Sequence, residues 1–322
     1  MSERLRFADF HQDRLNPQLA EILDNPELGH ARERAVQIPK KGLKKVDIIF
    51  GSVYRRANAE IKAAAKSGDP EVLARLRNDN ERLIEYYRAT DDFRIIEKPE
   101  DLQLQDDYDA NNLVLHLEGA DFVTSPDIVD DLYKRGVRSV GPLYSHDNLL
   151  GGGASGEKNR GLTALGKRVV DRLVEKGMII DVSHANRKTA HDILERVRGY
   201  EKAVATHTGI GVKQRTITVN LLRKIAERGG VVGFTPAKVF FPTFQKFIDE
   251  FKRGADIIGS TEHLAVGTDF GGLEAATLFR EFDEITKLSV LAEQLSERGG
   301  FKDQEIADIM YGNVERVVKK LK

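Results

Sequence analysis

The residues best suited to metal chemistry are histidines and carboxylates that close short apolar runs. His11 and Asp13 stand two apart in ADFHQD, so they share a face if extended backbone continues through them. One imidazole and one carboxylate on one face can hold a divalent ion, although the same pair also suits a polar strand end. Glu118 closes LHLE and precedes Gly119. Its two oxygens can bridge two ions, or the carboxylate can cap a following helix. His116, on the same face one layer deeper, reads as a packed histidine rather than a ligand. His184 ends DVSH and His207 lies in ATHTG, at equivalent places in two successive units, so the two can converge on one metal. Asp269, set among Gly267, Gly271 and Gly272, is a general acid/base candidate or the polar residue of a turn.

Composition narrows the chemistry. The 322 residues include no cysteine, which excludes thiolate metal sites, disulfides and a cysteine nucleophile. Any ion must then be held by nitrogen and oxygen donors. Fifty basic residues against 51 acidic ones leave a net charge of −1. That balance gives no reason to expect a nucleic-acid or membrane partner. The opening MSERLRFADF lacks an apolar signal core, and no uncharged apolar run approaches the ~18 residues of a membrane span. The expected location is cytoplasmic.

The elements that would position these groups follow a rhythm. Eight apolar, β-branched runs read as strands: 5–10, 46–50, 112–117, 137–142, 178–183, 203–206, 231–235 and 264–267. Between them lie helix-period segments with caps and glycine stops. Examples are 161–176 before Gly177, a helix capped by Asn186 and ended by Gly199, and one capped by Thr218 before Gly229. The expected fold class is α/β: a (β/α)8 TIM barrel in one domain over 1–322, with a helical insertion over 56–90 and closing helices over 288–322. In such a barrel the reacting groups sit at the C-terminal ends of strands, which is where His11, Asp13, Glu118, His184, His207 and Asp269 fall. The Gly-rich stretch 151–156 lacks the Lys-Ser/Thr of a phosphate loop and reads as a mobile loop over the site. His30, His191 and His263 read as ordinary structural histidines.

At these residues the chain resembles the membrane (renal) dipeptidase family, peptidase family M19 of the amidohydrolase superfamily. The resemblance covers nearly the whole chain and is carried by GVRSVGPLYSHDN, GLTALGKRVVDRLVEKGM, IIDVSH, ATHTG, LLRKIAERGGVVGF, AVGTDFGG and YGNVERV, in the family's order. It implies a zinc-dependent dipeptidase that cleaves dipeptides through a hydroxide bridging two zinc ions, or other divalent metals. His11 and Asp13 would bind one ion, His184 and His207 the other, and Glu118 would bridge them. Asp269 would be the proton shuttle. Arg215 would hold the substrate's carboxylate (its alternative is a surface salt bridge), and His146 would steady the oxyanion. A homodimer is compatible with the resemblance. Phe10 and Gln12 depart from the family's opening motif, and Gly271 stands where the family commonly has Asp. The competing readings are a binuclear amidohydrolase acting on another amide or a lactone, and a catalytically silent barrel.

Overall fold

The computed structural model describes residues 5–13, 22–23, 46–104, 110–211 and 213–322. Its strands are β1 (Ala8–Gln12), β2 (Ile48–Val53), β3 (Phe93–Ile95), β4 (Asn111–Glu118), β5 (Val137–Gly141), β6 (Ile179–Asp181), β7 (Ala203–Thr208), β8 (Val232–Phe234) and β9 (Leu264–Val266). All pair in parallel, in the order β1-β2-β4-β5-β6-β7-β8-β9. β1 returns to the far end of that path through a parallel bridge, Gln12 to Phe270, and through Asp13 N–H donating to Phe270 O at 2.9 Å. The result is a nearly closed eight-stranded barrel with helices around it, the (β/α)8 architecture expected from the alternation.

β3 is the one strand the alternation does not reveal. It is three half-buried residues, Phe-Arg-Ile, and it lies beside Asn111–Leu113 at the start of β4. β5 takes β4 farther along, at Leu115–Glu118, so the long strand shares one edge between two neighbours.

The helices form where the caps predict. Asn186 accepts from Thr189 N–H above α5 (Arg187–Arg196), and Thr218 from Leu221 N–H above α6 (Val219–Glu227). Here helices are numbered among the described residues from α1 (Ala59–Ser67) and α2 (Pro70–Ala89), which fill the charged insertion. α3 is Asp127–Lys134 and α4 Ala164–Glu175. α7 (Phe244–Ile258), α8 (Leu288–Glu297), α9 (Asp303–Ala307) and α10 (Asn313–Val318) complete the shell, with one π turn, Asp308–Gly312, between the last two. No helix among the described residues is long and apolar enough to cross a membrane.

Period-two alternation divides the apolar residues into two cores. Ile49, Leu113, Leu115 and Leu117 face outward to the helices. Ile48, Phe50 and Val114 face inward, together with Val314, Val317, Val318 and Leu321 from the chain's end. Ser52, His116 and Glu118 share the inward parity, so the barrel interior changes from apolar to polar toward the strands' C-terminal ends.

The Gly-rich loop is packed, not a free flap. Gly151, Gly152 and Gly153 are buried, and a Cβ on Gly153 would lie 2.2 Å from His146 O. On Gly156 it would lie 1.7 Å from Asp147 Oδ1. The glycines are there for close backbone approach.

Candidate metal centre

A bulge begins the site. Ala8 and Asp9 oppose Ile48 and Ile49, yet Gln12 opposes Gly51, so β1 carries one residue more than β2 over this stretch. Phe10 packs its ring on Phe50 at 4.7 Å, and the next residue, His11, lies with its ring 3.7 Å from that of His207. Phe10 and Gln12, the two departures in the opening motif, are both fully buried and do not themselves line the cavity.

Around His11 the ligand-capable atoms converge. Glu118, the last residue of β4, places Oε1 at 2.7 Å from His184 Nε2, 3.4 Å from His207 Nε2 and 3.5 Å from His11 Nε2. The two histidine Nε2 atoms are 2.8 Å apart. Glu118, His184 and His207 form one group whose donor atoms lie within 4.8 Å of one another, and His11, Asp13 and Asp269 form a second. Glu118 of the first group also lies 3.5 Å from His11 of the second. His11 Nε2 is buried without a hydrogen-bond partner among the described residues. Five buried side chains with nitrogen or oxygen atoms facing one spot suit divalent cations, because such groups are costly to bury together without a counter-charge.

The electrostatics agree. Burial opposes the charged form of His11, but the carboxylates of Glu118, Asp13 and Asp269 outweigh it and raise its pKa to about 10. Burial drives Asp13 well above the usual carboxylate range, with Glu118 adding to the push. For Asp269 burial dominates again, and the group titrates near 6 despite the lowering influence of His11 and Arg215. The pocket thus holds carboxylates crowded together that a cation would relieve.

Asp269 has a backbone to match. It is the only non-glycine with positive φ among the described residues, at 57°. Such strain is kept where surroundings enforce it. Asp269 N–H donates to His11 O at 3.0 Å, and Asp9 receives Thr268 N–H at 2.9 Å and Thr268 Oγ1 at 2.6 Å. Gly271 and Gly272 are needed here. A Cβ on Gly271, at φ 90°, would lie 2.2 Å from Asp13 O, and one on Gly272 would lie 2.0 Å from Asp13 Oδ2. A side chain at 271 does not fit this backbone.

A layer of buried acceptors holds these metal-capable side chains. Asp181 accepts from Ser183 N–H (3.0 Å), Ser183 Oγ (2.6 Å), Thr206 N–H (2.9 Å) and Thr206 Oγ1 (2.7 Å). These bonds lock the residues just before His184 and His207; burial would raise the pKa of Asp181, but His116 and His207, with these bonds, lower it to about 2. Ser52 donates to Glu118 Oε2 at 3.1 Å. His116 bonds Ser139 Oγ at 2.8 Å and lies 3.5 Å from Asp181; burial lowers its pKa to about 4. It sits among packed neighbours.

Above this cluster is a cavity of about 240 Å³. Asp13, Glu118, His184, Asp269 and Arg215 line it. Arg215 donates to Ser183 O and lies 3.0 Å from His184 Nε2. His146 is not brought to the cavity. Its Nε2 pairs with Asp121 Oδ2 at 2.9 Å, and the residue facing the cavity is its neighbour Ser145, whose Oγ is 3.1 Å from His184 Nδ1. The sequence reading also passes over Tyr54 and Tyr144. They stack at 4.5 Å, and Tyr144 stacks on His184 at 4.3 Å. Continuing the inward parity of Ile48, Phe50 and Ser52 two residues further reaches Tyr54. Of the remaining histidines, His263 bonds Gly230 O at 2.8 Å and His191 lies 3.4 Å from Lys224 Nζ, while His30 is outside the described residues.

The family model for membrane dipeptidase, peptidase family M19, matches residues 2–322. The chain belongs to that family. An uncharacterized dipeptidase of Schizosaccharomyces pombe is 30% identical over 206 residues, covering 61% of this chain and 49% of that one. An uncharacterized Acinetobacter calcoaceticus protein is 36% identical over 131 residues, covering 38% of this chain and 41% of its own length. The chain spans about half the length of these curated relatives. Among solved structures, a Rhodobacter sphaeroides metallo peptidase liganded with a phosphinate mimic of the dipeptide L-Ala-D-Ala superposes with a TM-score of 0.78 over 99% of this chain and 100% of that one. At 18% identity that likeness bears on the fold alone.

Proposed function

We propose that the protein is a zinc-dependent dipeptidase that hydrolyses the peptide bond of small unblocked dipeptides. The observation that carries this is the convergence of His11, Asp13, Glu118, His184 and His207 beneath a cavity of about 240 Å³, in a chain of the M19 family. The cavity is closed on the barrel side by the ligand layer, which suits a substrate of two residues better than a long peptide.

His11 and Asp13 would hold one zinc ion, His184 and His207 a second, with Glu118 contributing an oxygen to each. Two such ions, when bound, supply Lewis acidity and lower the pKa of water from 15.7 toward about 7. The chain's own residues do the rest. Asp269, which lines the cavity beside Asp13 and Glu118, accepts a proton from water and returns it to the leaving amine. Arg215 presents a planar fork that can grip the substrate's α-carboxylate bidentately. Tyr144 and Tyr54 form a stacked wall over His184 that excludes water from that side. The position of His146, turned to Asp121, supports a role in holding Asp121 and the Asn148 loop rather than contact with the oxyanion.

A panel of unblocked, N-acetylated and C-amidated dipeptides tests the proposal alongside a lactone series. Cleavage confined to dipeptides with a free carboxylate is the expected result. Turnover of lactones or blocked amides with unblocked dipeptides untouched would move the activity to another amidohydrolase reaction.

A further inference from the structure

Two guanidinium groups line the cavity, and they differ in what holds them. Arg215 donates to Ser183 O and lies against His184. Arg56, just beyond β2, reaches the cavity wall with no hydrogen bond or ion pair to its guanidinium among the described residues. Its neighbour Arg55 is committed elsewhere: Nε donates to Asp79 at 3.3 Å, and Nη1 to the carbonyl of Arg56 at 2.6 Å. The backbone at 56 is therefore tied down while the side chain stays free at the mouth. An arginine that lines the same cavity as Asp13, Glu118 and Asp269, with no ion pair among the described residues, is available to an incoming anion.

A dipeptide's α-ammonium would be repelled by this group, so Arg56 belongs to the carboxylate end. One guanidinium fork saturates one carboxylate. With Arg215 serving the α-carboxylate, a second fork fits a second acid. Among the described residues, Arg56 and Arg215 are the cations lining the cavity, and Val239, Phe240 and Leu273 add an apolar wall. We propose that Arg56 selects dipeptides whose C-terminal residue carries an acidic side chain, its guanidinium pairing with that side-chain carboxylate. The inference rests on the dipeptidase reading above and adds the substrate class.

The test compares kcat/KM for Ala-Glu and its neutral isostere Ala-Gln, each with the C-terminal residue in the L and the D form. It uses the wild-type chain, Arg56→Gln and Arg56→Lys. The expected result is a wild-type preference for Glu over Gln of about tenfold, the worth of one charge-assisted hydrogen bond. That preference shrinks with added salt, falls to near one in Arg56→Gln and is partly kept in Arg56→Lys. Since Arg56 is exposed, the melting temperatures of both variants should match wild type. Equal cleavage of Ala-Glu and Ala-Gln by wild type would overturn the role of Arg56 and leave the dipeptidase reading standing. An Arg56→Gln variant that loses both substrates alike would make Arg56 the α-carboxylate anchor, which also overturns the proposal. No cleavage of any dipeptide would remove the reading beneath it.

Discussion

Replacing Gly272 with alanine strikes the site without striking the fold. Its backbone lies outside the left-handed region, so the cost is steric alone. The added Cβ would stand 2.0 Å from Asp13 Oδ2 and 2.5 Å from Asp269 Oδ1. An unstrained carbon–oxygen contact is about 3.3 Å, so the two carboxylates must retreat by roughly 1.3 and 0.8 Å. Both atoms are ends of side chains, so overpacking should cost only about 1–3 kcal/mol of stability. A displacement of ~1 Å in a catalytic group can cost about 100-fold in turnover, and moving Asp13 should loosen one ion as well. The assay is kcat, metal content per chain and thermal unfolding, with Gly259→Ala as the control. Gly259 has φ 76° and nothing within 4 Å of its added Cβ. That variant should lose roughly 1 kcal/mol through its left-handed backbone and keep metal and turnover. A Gly272→Ala protein with full metal and wild-type kcat would refute the reasoning.

Asp269→Asn should retain metal yet lose roughly 100- to 10,000-fold in kcat, measured by steady-state hydrolysis beside elemental analysis; unchanged turnover would remove the proton-shuttle role. Asp181→Asn turns an amide donor toward hydroxyl and N–H donors, so it should cost on the order of 3 kcal/mol and weaken metal affinity ~10- to 100-fold, read by denaturant unfolding and by titration with a competing chelator. Lys202 is almost wholly buried, with Nζ donating to Lys320 O at 2.8 Å, and burial lowers its pKa from 10.5 to about 8. Between those two values the unfolded chain binds the extra proton, so this residue's contribution to stability rises with pH from about 8 to 10.5. The wild-type stability minus that of Lys202→Met should show that rise, and a flat difference would count against it.

The barrel was legible because its strands are buried on both faces and stand out as apolar runs, and because Asn186 and Thr218 cap helices between them. The residues that the fold brings together at the candidate metal centre were legible because each one ends such a run. β3 was not, since three residues with half-exposed side chains carry no periodic signal. The bulge in β1 was not, because an extra residue in one strand shows only against its partner. Asp9 and Asp181 appear in the motifs as mere neighbours of ligands, and their work depends on Thr268 and Thr206 arriving from distant chain. Ser145 and His146 are adjacent and both polar, so only the turn of the backbone decides which one meets His184. Arg56 lies in a charged stretch where nothing in the sequence separates it from Arg55.

The most direct test of the account is the metal content of the purified chain, taken together with dipeptide hydrolysis before chelation, after it, and after zinc is restored. About two zinc ions per chain, loss of cleavage on chelation and its return with zinc are the expected results. Cleavage that survives complete removal of metal would contradict it.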